Sequence, residues 1–158
     1  MGIEILKTGV SRLLSAFTRF SMVLHLSPAE LQSMNGLERY CARHIAAVND
    51  ITSWEKEVRA SQSGHHEGSV LCSAVKVVTE EMGVGVEAAK RMLWLMTREW
   101  ERVFDGMTRE ILGAGCDQAV KDYMRGLEYQ MSGNELWSLT TLRYHDLAWI
   151  GAVQGWIE

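Results

Sequence analysis

The nine residues Asn49-Asp50-Ile51-Thr52-Ser53-Trp54-Glu55-Lys56-Glu57 hold the densest run of chemically useful side chains in the sequence. Asn49, Ser53 and Glu57 stand at i, i+4 and i+8, a spacing that on a helix drifts by only about 40° per step, so all three share one stripe. An amide oxygen, a hydroxyl and a carboxylate along one line suit a hard divalent cation. Mg²⁺ fits best, because it takes one carboxylate and keeps waters and substrate phosphates in its other positions. Lys56 falls almost on the same stripe, where its ammonium could meet a phosphate that the ion also holds. The alternative is a solvated polar face on an amphipathic helix, and Ala47, Ile51, Trp54 and Val58 supply the apolar face that this alternative expects. Against it, Cys41 and Ile45 lie near the triad's own stripe and are apolar. The helix therefore reads as buried on two sides, with its polar triad near one end.

The elements that must position this stripe are helical. A chain of 158 residues with 47% hydrophobic residues, six Trp and nine Met is one domain's worth and can bury a core. A single Pro and few β-branched runs favour helices, so the fold class is all-α, with about six helices and no sheet. The first is expected over about Ile5 to Leu26, with Val10, Leu13, Leu14, Phe17, Val23 and Leu24 at helical period. Ser27-Pro28-Ala29-Glu30 reads as a fresh start, with Ser27 as N-cap, Pro28 at the first helical position and Glu30 completing a capping box. Asn35-Gly36 is expected to break or kink the chain, so the triad's helix is placed from about Leu37 to Ala60. Further helices are expected over Gly68–Met82, Val86–Ile111 and Asp117–Met131, separated by Gly83-Val84-Gly85 and Gly113-Ala114-Gly115. In the Val86–Ile111 helix Met92, Leu95, Met96, Trp100 and Phe104 form the expected core stripe.

Other residues invite chemistry and are set aside. His65-His66 point about 100° apart on a helix and have no third ligand at metal spacing, so a solvated loop is expected. Glu80-Glu81 has no further acid at i+4 and reads as a helix end facing solvent. Cys41, Cys72 and Cys116 are widely spaced and odd in number, which suits a reduced, cytoplasmic compartment, and they form no C-x-x-C pair, which argues against zinc or redox chemistry. The net charge of −4 and the lack of a basic, aromatic-interleaved patch argue against nucleic acid. No signal peptide and no stretch long enough to span a membrane are visible.

Near the end of the chain runs Gly133-Asn134-Glu135-Leu136-Trp137-Ser138-Leu139-Thr140-Thr141-Leu142-Arg143-Tyr144, which places Trp137, Thr141 and Tyr144 on one helical face. The two stretches together resemble class I terpene cyclases, most closely fungal sesquiterpene cyclases of the aristolochene-synthase kind. N-D-I-x-S-x-x-K-E is similar to that family's second metal-binding motif, and G-N-x-x-W-S-x-x-T-x-R-Y to its diphosphate-binding segment. The resemblance implies Asn49, Ser53 and Glu57 as ligands to Mg²⁺, and Lys56, Arg143 and Tyr144 as diphosphate-binding residues. Arg offers planar, charge-assisted bonds to phosphate oxygens and the phenol a neutral donor. Trp137 matches the family's aromatic that faces the carbocation, whose charge a ring face stabilises.

The implied fold is the C-terminal half of the class I terpene synthase α-fold, a single helical domain with no second domain. The implied reaction is Mg²⁺-dependent ionisation and cyclisation of farnesyl diphosphate with release of diphosphate. The family's aspartate-rich D-D-x-x-D/E motif is missing: Asp50, Asp105, Asp117, Asp122 and Asp146 are scattered singly. Arg12 and Arg19 lie too near the triad to match the family's diphosphate-sensing Arg. The chain is therefore expected to be truncated and not to turn over by itself, with self-association or an N-terminal half supplied in trans as the implied partners. A non-catalytic helical interaction module derived from such a cyclase stays open as the alternative. A chain-elongating prenyltransferase is disfavoured, because it needs paired D-D-x-x-D motifs.

Overall fold

The computed structural model describes residues 8–62 and 73–144; the expected His65-His66 loop and Cys72 lie outside them. Five helices, α1 (Thr8–Ser21), α2 (Pro28–Gln62), α3 (Ala74–Met82), α4 (Val86–Ala114) and α5 (Gln118–Thr140), carry the fold, and no strand occurs among the described residues. None of these helices is long and apolar enough to cross a membrane.

The expected capping box forms. Ser27 N–H donates to Glu30 Oε2 at 2.6 Å and Glu30 N–H to Ser27 Oγ at 3.3 Å, which satisfies two otherwise orphaned helix-end groups. The Ser27 hydroxyl, which donates to Glu30 Oε2 at 2.6 Å, and then the Ser27 N–H hold the Glu30 carboxyl below its ordinary range. The expected break at Asn35-Gly36 does not occur, and α2 runs unbroken for 35 residues. Packing overrides the weak local propensity. Met34 and Leu37, flanking the pair, are fully buried, and Gly36 sits where the Met107 methyl comes against the backbone. Helix α5 also continues through Gly133 to Thr140 rather than stopping near Met131, and five helices stand among the described residues where about six were expected. The breaks at Gly83 and Gly115 do occur, with φ of 64° and 84°, a left-handed conformation that glycine adopts without a Cβ clash.

The chain divides into two compact units, one comprising residues up to Ala46 with Met96–Ser132, the other Ala47–Leu95 with the residues from Gly133 onward. The first is built on Met34, Leu37 and Cys41 of α2, Phe104 of α4, and Val120, Tyr123, Met124, Leu127 and Met131 of α5. Its first helix is inside out. Ser15 and Thr18 are only 4% and 8% exposed, while Leu13, Phe17 and Phe20 are 56%, 58% and 83% exposed. The polar face turns inward because partners await it: Arg19 and Ser15 bond the Tyr123 hydroxyl, which donates to Glu38, and Gln130 donates to Thr18 Oγ1. Burial, and then the bond to Glu38, push the Tyr123 phenol up to about 12. Burial likewise pushes the Cys41 thiol up to about 12, so it stays protonated and unreactive. Helix α1 ends in a Schellman turn, with Val23 N–H donating to Phe20 O at 3.2 Å and Leu24 N–H to Arg19 O at 2.8 Å. Val23, at φ 53°, takes the position that glycine normally occupies.

The second unit packs Ile51 of α2, Ala74 and Val75 of α3, and Ala89 and Leu93 of α4, with Trp54, Val78 and Trp94 around them. This uses the α2 face expected from Ile51 and Trp54. On α4, however, the buried stripe is Ala89, Leu93, Thr97 and Phe104, whereas Leu95 and Met96 are exposed. The small Ala89 lies in the Ile51–Val75 cluster, and a stripe chosen by side-chain size missed it.

Two glycines in α5 should respond oppositely to alanine. At Gly126 a Cβ would stand 2.6 Å from Thr18 Cγ2 and 2.9 Å from Met22 Sδ, whereas at Gly133 it would meet nothing within 4 Å. Chemical denaturation should find Gly126→Ala destabilised by about 1–3 kcal/mol from overpacking. It should find Gly133→Ala stabilised by about 0.5–1 kcal/mol from helix propensity.

Candidate metal and diphosphate site

Unbroken i to i−4 bonding through α2 fixes the direction of each side chain about its axis. Asn49 and Glu57 are half-buried, and Ser53 is 3% exposed. Ser53 Oγ donates to Glu57 Oε1 at 2.5 Å, so the hydroxyl and carboxylate converge as the spacing requires. Asn49 Oδ1 accepts a hydrogen bond from the Tyr144 hydroxyl at 2.8 Å, across 95 positions of sequence.

Tyr144 gathers the remaining candidates. The Lys56 Nζ lies 5.6 Å and the Arg143 Cζ 6.0 Å from its ring centroid, both within cation–π range. Trp137 meets it edge-on, with centroids 5.5 Å apart and planes at 79°. Burial raises the Tyr144 phenol, the Arg143 charge opposes this, and the Glu57 and Asp50 carboxylates add to the rise. The hydroxyl consequently keeps its proton well past neutrality. Asn49, Lys56, Trp137 and Arg143 thus surround Tyr144 directly, with Glu57 in its field and Ser53 bonded to Glu57.

The far-end segment differs from expectation in one respect. Helix α5 stops at Thr140, and Tyr144 lies beyond it in a turn closed by Thr141 N–H to Trp137 O at 2.9 Å and Tyr144 N–H to Thr141 O at 3.2 Å. The turn, rather than a shared helical face, brings Tyr144 back against Trp137. Thr141 Oγ1 also accepts from Arg143 N–H at 3.3 Å, a side-chain turn that competes with continuing the helix.

Asp50 was missed by sequence reasoning. It is 7% exposed, and its Oδ2 accepts the Ala74 N–H at 2.7 Å, one of the four donors that a helix start leaves orphaned. Ser73 Oγ takes the next, from Val75 N–H at 3.3 Å. The signal was available: an acid next to Asn49 points about 100° away from the stripe, toward a neighbour rather than toward the metal. Also unforeseen is His44, fully buried, whose Nε2 lies 2.8 Å from Glu101 Oε1, an oxygen that Arg98 also holds at 2.6 Å. Glu80 and Glu81 are solvent-exposed at the end of α3, as expected.

The arrangement offers three oxygen donors on one helix stripe beside two cations and a phenol, a donor set for a divalent cation bridged to a polyanion. The chain belongs to the terpene synthase family: the model of terpene synthase family 2, C-terminal metal binding, matches residues 6–103. Among individual proteins, the chain is 58% identical over 135 residues to aristolochene synthase of Penicillium roqueforti, covering 84% of this chain and 40% of that protein. It is 48% identical over 133 residues to aristolochene synthase of Aspergillus terreus, covering 84% and 42%. With (+)-germacrene D synthase of Selaginella moellendorffii it shares 32% over 116 residues, covering 72% and 31%. The crystal structure of the Penicillium roqueforti aristolochene synthase superposes with a TM-score of 0.75 at 52% identity, covering 85% of this chain and 44% of that one. The fold is accordingly the class I terpene synthase α-fold, of which this chain spans about two fifths of the length found in the curated aristolochene synthases.

Removing the Asp50 carboxylate should leave the Ala74 N–H without its partner. Asp50→Ala should lower stability by about 1–3 kcal/mol, and Asp50→Asn, which keeps an acceptor, by less. Urea denaturation followed by circular dichroism checks both.

Proposed function

We propose that the chain contributes the second metal site and the diphosphate cradle of a sesquiterpene cyclase acting on farnesyl diphosphate. The observation that carries this reading is the hydrogen bond from Tyr144 to Asn49, which joins the metal-type triad to the anion-type Arg-Tyr pair. Asn49, Ser53 and Glu57 would hold Mg²⁺. The fit is chemical and steric: all three donors are oxygens, and adjacent ligands of a Mg²⁺ octahedron stand about 2.9 Å apart, close to the 2.5 Å between Ser53 Oγ and Glu57 Oε1. When bound, the ion would act as a Lewis acid on the leaving diphosphate.

The chain's own residues account for the rest. Lys56 and Arg143, both near the Tyr144 ring, attract and orient the diphosphate, and the phenol adds a neutral donor. Trp137, 47% exposed, can offer ring surface to an allylic cation. The aspartate-rich motif is not among these 158 residues, so turnover calls for a second segment that carries it. A cytoplasmic location suits the free thiols of Cys41 and Cys116 and a soluble diphosphate substrate.

One observation favours a second reading, the helical interaction module. The apolar face of α1, with Leu13, Phe17 and Phe20 outward, is the kind of patch that promotes association. Self-association or capture of an N-terminal half would cover it. The two readings converge if that half also brings the missing carboxylates.

The purified chain should bind inorganic diphosphate weakly and only with Mg²⁺, and should not turn over farnesyl diphosphate by itself. Turnover should appear when a segment bearing the aspartate-rich motif is supplied, covalently or in trans. In that restored enzyme Glu57→Gln should lose more than about 100-fold in activity at limiting Mg²⁺, and His65→Ala almost nothing. Equal activity of Glu57→Gln and the parent would reduce the triad to a solvated helix face.

A further inference from the structure

We propose that Tyr144 is a positioning residue for the metal ligand Asn49, acting on the cation site before any diphosphate arrives. The inference rests on the reading of Asn49, Ser53 and Glu57 as a metal triad and goes beyond it by assigning the Tyr144 hydroxyl to the metal side of the site. A phenol has one proton to donate. In the structure that proton goes to Asn49 Oδ1, at 2.8 Å, and not outward to where an anion would sit.

The two other ligands already hold each other, through Ser53 Oγ and Glu57 Oε1. Asn49 has no such neighbour within the triad, and its side chain has two rotatable bonds to freeze before its oxygen can ligate. Tyr144 supplies the restraint. Its ring is fixed edge-on to Trp137 and lies beside Lys56 and Arg143, so the hydroxyl is a rigid anchor rather than a floating one. One lone pair of Oδ1 is occupied by this bond, and the second remains for a cation. Side chains that orient a metal ligand through a hydrogen bond typically change metal affinity by about 10–100-fold when removed. Freezing the ligand beforehand is the general reason, because the ordering is then not charged against binding.

The assignment also separates the duties of Arg143 and Tyr144, which adjacency in sequence would pair. Arg143 is exposed, and its Cζ lies 6.0 Å from the Tyr144 ring centroid. It can act on an anion with no effect on Asn49, whereas Tyr144 acts on Asn49 first.

The test titrates the full chain with Mn²⁺ in the absence of diphosphate and reads the free ion by electron paramagnetic resonance. Tyr144→Phe keeps the ring against Trp137 and deletes only the hydroxyl; it should bind Mn²⁺ about tenfold more weakly than the parent, while Glu81→Gln, an exposed carboxylate at the end of α3, should match the parent. In an Asn49→Ala background the Tyr144→Phe change should have no further effect, because the residue it positions is gone. Equal Mn²⁺ affinity for Tyr144→Phe and the parent overturns the inference, as does an equal loss with and without Asn49. Glu57→Gln is the check on the underlying reading. If the parent binds no better than Glu57→Gln, the metal triad itself fails and the positioning role falls with it. If Glu57→Gln alone loses binding, the triad stands and only the role of Tyr144 is refuted.

Discussion

The unbroken hydrogen-bond ladder of α2 is the constraint on which the site depends. A helix of 35 residues has no freedom to rotate one segment against the next, so the bearing of each side chain follows from sequence position alone. Burial of Ile51 against Ala74, Val75, Ala89 and Leu93 then fixes the absolute orientation. Once that face is committed, Asn49, Ser53 and Glu57 have one direction left to point, and Asp50, between the two faces, meets the start of α3. An interruption within the triad stretch would free the ligand stripe from this packing and disperse the three oxygens.

Long-range pairing of the two motifs is achieved with modest means. No ion pair joins Arg143 to the triad among the described residues; the neutral hydrogen bond from Tyr144 to Asn49 links the two segments. Neutral links suit a place that must later accept a divalent cation and a polyanion. A salt bridge spanning the same gap would have to be broken when either charge arrived, at a penalty of several kcal/mol if buried.

The local codes in this sequence were readable because their causes are local. A capping box at Ser27 and Glu30, left-handed glycines at 83 and 115 and the stripe of Asn49, Ser53 and Glu57 each depend on residues within a turn or two of one another. What escaped was set at a distance. Gly36 stays helical because of Met34 and Leu37 in the core and Met107 on another helix. The exposed faces of Leu95 and Met96 were mistaken for core because size and hydropathy were judged without knowing the neighbours, whereas Ala89 and Thr97 fit the close approach. Trp137 and Tyr144 do come together, but a turn and not a shared helical face returns Tyr144 to Trp137. The proposed roles of the site residues come from the spacing of the triad and from the paired motifs; composition alone gave an all-α chain and no chemistry.

The inverted face of α1 has a thermal consequence. Apolar burial near room temperature is driven by the entropy of water and weakens on cooling. An assembly closed over Leu13, Phe17 and Phe20 would therefore loosen in the cold and tighten on moderate warming, opposite to the intuition that low temperature preserves complexes. The bonds beneath that helix, from Tyr123 to Glu38 and from Arg19 to Tyr123, do not share this dependence. Chilling would then detach whatever covers α1 while leaving the helix itself seated.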